Sequence, residues 1–283
     1  MRWSPGHRSA NVEDRRAGGG RFVRGAGGMG LGTVVILLVL SLIFKRDMFQ
    51  LVGGGAVETT GEAPAGAPVN ETPEEQRLKE FVSFVLDDAQ AVWDSVLRRE
   101  GGTYRPARLV LFRDAVQSAC GLGESASGPF YCPGDEKVYI DLGFYQELQQ
   151  RFGAPGDFAQ AYVLAHEIGH HVQNVLGTEA EVRQARRLRP GQANELSVRL
   201  ELQADCYAGV WAHSTAQREL LERGDVEEGL GAAAAVGDDR IQRMGGGAVI
   251  PEGFTHGSSE QRMQWFRQGM ESGRPQSCDT FGR

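Results

Sequence analysis

The pattern of apolar and polar positions divides the chain into a long uncharged run, a patternless stretch and a periodic body. Twenty consecutive residues from Gly25 to Phe44, GAGGMGLGTVVILLVLSLIF, carry no charge and are followed directly by Lys45 and Arg46. As a helix this run is about 30 Å long, close to the apolar thickness of a bilayer. The pattern therefore predicts a transmembrane helix over 25–46. A cleaved signal peptide fits less well, because a long charged segment precedes the run and no small-x-small site follows it directly. Residues 47–71 are rich in Gly, Ala, Pro, Thr and Glu without apolar periodicity, which is the composition of a flexible linker.

Regular periodicity begins at Thr72. Thr72 is a good N-cap, Pro73 suits the first helical turn, and Glu75 completes a capping box. Phe81, Phe84, Val85, Ala89, Val92 and Val96 then recur at helical spacing. ARLVLFRD (Ala107–Asp114) and KVYIDL (Lys137–Leu142) are short and rich in β-branched and aromatic residues, so both are expected as strands. Helices are expected at about Leu142–Gln150, Phe158–Leu176, Glu195–Ala212 and Ser259–Glu271. One long helix, a small group of strands and a helix pair predict an α+β domain with few strands over 72–283.

Charge changes this picture in one respect. Residues 1–46 hold eight basic and two acidic residues, so they carry +6, and the overall −7 then leaves −13 on the remainder. An acidic body argues against nucleic-acid binding. A basic segment ahead of an apolar run predicts that residues 1–24 stay cytoplasmic and that the domain faces the other side of the inner membrane, anchored by a single pass.

The chemistry concentrates in VLAHEIGHHVQ, Val163 to Gln173. His166 and His170 are four apart, so on a helix both imidazoles leave one face and suit two corners of a zinc site. Glu167 projects beside them, where a carboxylate can act as general base towards zinc-activated water. His171 points about 100° round the helix and cannot share that metal. A third histidine with the metzincin spacing is absent, since Gln173 and Leu176 stand in those places. Downstream, LELQADCYAGVWA offers Glu201 as a third ligand, with Asp205 four residues on to orient a ligand histidine. Glu195 is an alternative ligand without an acid at i+4. Ala204, Ala208 and Ala212 are small enough to let this helix lie close to the histidine helix. His256, just before a second capping box at Ser258 and Gln261, either stabilises a developing oxyanion or simply helps a helix start.

At this point the chain resembles the bacterial putative neutral zinc metallopeptidase family. The resemblance is carried by MRW, NVEDRR, one apolar segment, GPFYCPGDEKVYIDLGFY, AHEIGHHVQNVLG, ELQADCYAGVWA and THGSSEQR, in order over nearly the whole chain. It implies a membrane-anchored, zincin-like domain of minimal gluzincin type, one zinc ion, Glu201 as ligand and Asp205 as its support. By analogy with zincins, KVYIDL is expected to be the edge strand along which substrate backbone adds.

Four cysteines on the expected extracytoplasmic side fit disulfides. Cys120 and Cys132 frame a small Gly/Pro loop and are the first choice; Cys206 and Cys278 either pair or leave Cys206 a free buried thiol. The expected activity is hydrolysis of peptide bonds in a peptide or protein substrate. The alternatives are a non-catalytic, zinc-stabilised interaction module and a zinc amidase acting on cell-wall peptides. Glu167 argues for the enzyme, because a scaffold has no need of a carboxylate between its histidines.

Overall fold

The computed structural model describes residues 1–18, 69–125 and 128–282. In chain order these form β1 (Val12–Asp14), α1 (Pro73–Arg99), β2 (Arg108–Phe112), β3 (Ala115–Ser118), β4 (Gly121–Glu124), β5 (Phe130–Cys132) and β6 (Lys137–Asp141). Helices α2 (Phe144–Gln150), α3 (Asp157–Leu176), α4 (Thr178–Leu188), α5 (Ala193–Gln217), α6 (Asp225–Ala235), α7 (Asp238–Met244) and α8 (Ser259–Ser272) follow. The described chain is α+β and mostly helical. The capping box at Thr72 and Glu75 forms, and so does the one at Ser258 and Gln261.

A four-stranded sheet runs β1-β2-β6-β5, parallel except that β5 pairs antiparallel with β6. Alternation decides its two faces. Leu109, Leu111, Val138 and Ile140 join the main core with the buried stripe of α1, while Val110, Phe112, Tyr139 and Cys132 form a smaller cluster on the other side. KVYIDL is therefore not the edge strand expected. β6 lies between β2 and β5, and the edge beside the histidine helix is the three-residue β5, too short to show a pattern of its own.

Three long helices approach one another at glycines. A Cβ on Gly169 of α3 would lie 2.8 Å from the Ala204 carbonyl oxygen of α5. Gly209 of α5 and Gly269 of α8 likewise leave no room for a side chain, each facing the other helix's backbone. Both expected cysteine pairs are present as disulfides: Cys120–Cys132 closes the loop between β3 and β5, and Cys206–Cys278 ties the C-terminal tail to α5.

The expectation of a zincin-like domain preceded by one transmembrane helix is corrected. No helix among the described residues is long and apolar enough to cross a membrane. The run 25–46 on which the expectation rests lies outside the described residues, as does most of the linker 47–71. The two-sided layout fails on a positive observation as well. Residues 1–16 form one compact unit with 69–283: β1 lies parallel beside β2, and the Met1 amino group meets Asp157 at 2.6 Å. A single crossing between Arg16 and Val69 would put these two parts on opposite sides of a bilayer, whereas here they share one sheet.

Candidate metal centre

The site is built where α3 crosses α5. Helical spacing brings His166 and His170 to one face of α3, with ring centroids 4.8 Å apart, and the Gly169–Ala204 contact brings Glu201 opposite them. His166 Nε2 lies 3.2 Å from Glu201 Oε2, and His170 Nε2 lies 3.4 Å from Glu201 Oε1. One ligand atom from each of the three falls within 4.8 Å of the others. For zinc about 2.0–2.2 Å from each donor, adjacent corners of a tetrahedron lie about 3.3–3.6 Å apart. The donor set and its spacing fit that ion. A second acidic group, Asp157, Asp225 and Glu228, has no nitrogen donor, and its aspartates already face the Met1 amino group.

Each imidazole is held by its other nitrogen. His166 Nδ1–H donates to Asp205 Oδ1 at 2.8 Å, and His170 Nδ1–H donates to Gln173 Oε1 at 2.9 Å. When the rings are neutral, these bonds select the tautomer whose Nε2 carries no proton and can meet a metal. Gln173 is itself oriented, because its Nε2 donates to the Leu200 carbonyl at 2.7 Å and to Gln203 Oε1 at 3.1 Å. Asp205 is fully buried and more heavily bound still. Arg262 of α8 grips both its oxygens, Nε to Oδ2 at 2.8 Å and Nη2 to Oδ1 at 2.9 Å, and the Tyr162 hydroxyl donates to Oδ1 at 2.5 Å.

Electrostatics follow from this packing. Burial pushes the His170 imidazole down, but the Glu201 carboxylate beside it wins and holds it at about 10. Burial raises Glu201, yet the two imidazoles hold it well below the usual carboxylate range. The cluster thus favours a positive charge between its three donors. Asp205 stays ionised for a similar reason, since Arg262 and His166 outweigh its burial.

Above these residues a cleft of about 570 Å³ opens, lined on one side by Phe130 and Tyr131 of β5 and on another by His256. Glu167 lies in the cleft wall, and its carboxylate forms no hydrogen bond with another described residue. His256 sits half-exposed at the rim, where Asp238 Oδ1 accepts from its Nδ1 at 3.1 Å and raises its pKa. His171 faces away: it is buried, bonding the Tyr131 hydroxyl and the Arg105 carbonyl. Glu195 lies outside the cluster, in an exposed pair with Arg199. Sequence reasoning missed Arg262, Tyr162 and the orienting role of Gln173. The one signal in the sequence was that Arg262 closes the motif THGSSEQR, which does not reveal that it is buried.

Two imidazoles and a carboxylate converging beneath an open cleft, with a further carboxylate alongside, are the donor set of a zinc hydrolase site. The chain belongs to the family described as "Putative neutral zinc metallopeptidase", whose model matches residues 1–281. It is 44% identical over 295 residues to the uncharacterized protein YpfJ of Escherichia coli K12, covering 100% of this chain and 99% of that one. It is also 46% identical over 206 residues to the uncharacterized protein Rv2575 of Mycobacterium tuberculosis H37Rv, covering 69% of this chain and 68% of that one. No solved structure matches the chain.

Proposed function

We propose that the chain is a zinc-dependent peptidase that hydrolyses peptide bonds at one zinc ion held by His166, His170 and Glu201. The observation that carries this reading is the convergence of those three donors, one ligand atom from each within 4.8 Å of the others, with Glu167 beside them in the cleft wall. Zinc bound there supplies Lewis acidity towards the scissile carbonyl and makes water a nucleophile near neutral pH. Glu167 accepts the proton released as water adds to the carbonyl carbon. It returns that proton to the amide nitrogen as the C–N bond breaks, leaving a carboxylate and an amine. His256, a rim residue whose pKa is raised by Asp238, donates to the developing oxyanion in this reading, and its place in the cleft lining supports that role. Asp205 and Gln173 act as positioning residues through the two ligand imidazoles. Substrate backbone adds along the open edge of β5, whose residues line the cleft.

The test compares the full chain with Glu167→Gln, measuring bound zinc and cleavage of a diverse peptide library. Equal zinc in both, with cleavage by the parent alone, is expected. Equal zinc and no cleavage by either points to an interaction module; activity confined to cell-wall peptides points to an amidase.

A further inference from the structure

The cleft is polarised along α3. Where α3 begins, its wall is mainly apolar, made by Phe144, Phe152, Val163 and Ile241, and the two charged residues there, Arg151 and Glu147, offset each other as a pair. Arg240 of α7 donates to the Phe152 carbonyl at 2.6 Å, which draws α7 onto this end. Met244, Val249 and Ile250 follow Ile241 within ten residues of sequence, and all four are exposed. Scattered exposed apolar residues mean little, but four so close in sequence, the first of them lining the cleft, suit contact with an apolar partner.

Where α3 ends, Arg186 and Glu179 both line the cleft, and the exposed face of the next helix just beyond it is cationic. Gly177 turns the chain in the left-handed conformation, and α4 starts at once. Arg183, Arg186 and Arg187 stand at i, i+3 and i+4 and so share a face of α4, with Arg189 just beyond; all four are exposed, and Arg186 lines the cleft. They outnumber Glu179 and Glu181 on the same helix. The helix dipole favours arginines at a C-terminus. It does not account for one forming part of the cleft wall in a body that carries −13.

We infer that the site takes an extended peptide segment with bulky apolar residues on one side of the scissile bond and acidic residues on the other. The apolar part would lie towards the start of α3 and the acidic part along α4. This rests on the peptidase reading, which it deepens by naming the substrate class.

The test uses the zinc-loaded full chain and four quenched fluorescent peptides: apolar–acidic, acidic–apolar, apolar–lysine and alanine–acidic. One of the first two orders should exceed the lysine and alanine peptides by about tenfold in kcat/KM, an advantage that shrinks with added salt. The triple variant Arg183→Glu, Arg186→Glu, Arg187→Glu should keep its zinc and thermal stability while shifting preference to the lysine peptide. Equal rates for acidic and lysine peptides, or an unchanged preference in the variant, overturns the inference. Binding is read separately from turnover with labelled peptides and Glu167→Gln. A parent that cleaves nothing while this variant still prefers the acidic peptide defeats only the peptidase reading. Equal Kd values for the two peptides defeat the substrate assignment. Binding of the parent to anionic vesicles, lost in the triple variant and without any peptide preference, reassigns the arginine row to a lipid surface.

Discussion

Glu201 and Asp205 sit four residues apart on one helix, and their neighbours give them different tasks. Glu201 faces two imidazole nitrogens and an open cleft; Asp205 is sealed among His166, Tyr162 and Arg262. A buried carboxylate without its counter-charge is strongly destabilising, so Arg262 is what allows Asp205 to orient His166. Arg262→Gln is expected to weaken zinc binding by about 10–100-fold, read by chelator competition. Arg262→Lys, which keeps the charge but loses the two-pronged grip, should fall between it and the parent. Unchanged affinity in both variants would remove Arg262 from the metal site. His166, Glu167 and His170 were legible because i, i+4 spacing fixes a shared face within one helix. Arg262 was not, because it meets Asp205 from 57 residues away, on another helix.

Helices α3 and α5 can bring their side chains to one point only because their backbones nearly touch. Gly169→Ala would set a methyl group 2.8 Å from the Ala204 carbonyl and 3.0 Å from its Cα. Backbone cannot rotate aside as a side chain can, so the helices must separate. The expected cost is about 1–3 kcal/mol by thermal unfolding, together with reduced zinc content, since Glu201 moves with α5. A fully loaded variant of parental stability would show that this crossing does not set the site. Long helices with a marked apolar stripe, such as α1, were readable from periodicity. The edge strand was misassigned because β5 offers only three residues and KVYIDL has the stronger pattern. Helices α4, α6 and α7 escaped notice because α4 is mostly charged and buries only Thr178 and Val182, α6 packs mainly small residues and α7 is barely two turns.

On the scale of the whole molecule, the N-terminal segment belongs to the body. Arg16 is buried between Asp14 and Glu71, and Lys79 also reaches Asp14. Burial raises the Asp14 carboxyl, but Arg16 and Lys79 outweigh it and hold its pKa at about 2, below the ordinary 3.8. A depressed carboxylate stabilises the fold above its unfolded pKa, and that contribution fades as pH falls from 3.8 towards about 2. Denaturant unfolding of the parent and Asp14→Asn should therefore differ most above pH 4 and converge through this window. A gap independent of pH would mean that the ion pair does not fasten the segment. The same attachment argues for work on the full chain, because a fragment starting at Thr72 lacks β1 and leaves β2 as a bare edge.

By itself the sequence determined what depends on neighbours along the chain. It set which residues share a helix face, where capping boxes start helices, and that His166, Glu167 and His170 leave α3 together. Covalent geometry makes these relations local, so no partner is needed to read them. Only the tertiary structure brought Glu201, which the sequence already favoured over Glu195, against the histidines, and decided that Arg262 locks Asp205, that β5 forms the edge, and that residues 1–16 complete the sheet. Each depends on how two distant surfaces fit, through a glycine contact, a buried charge pair or a strand register, and local spacing along the chain does not encode that fit.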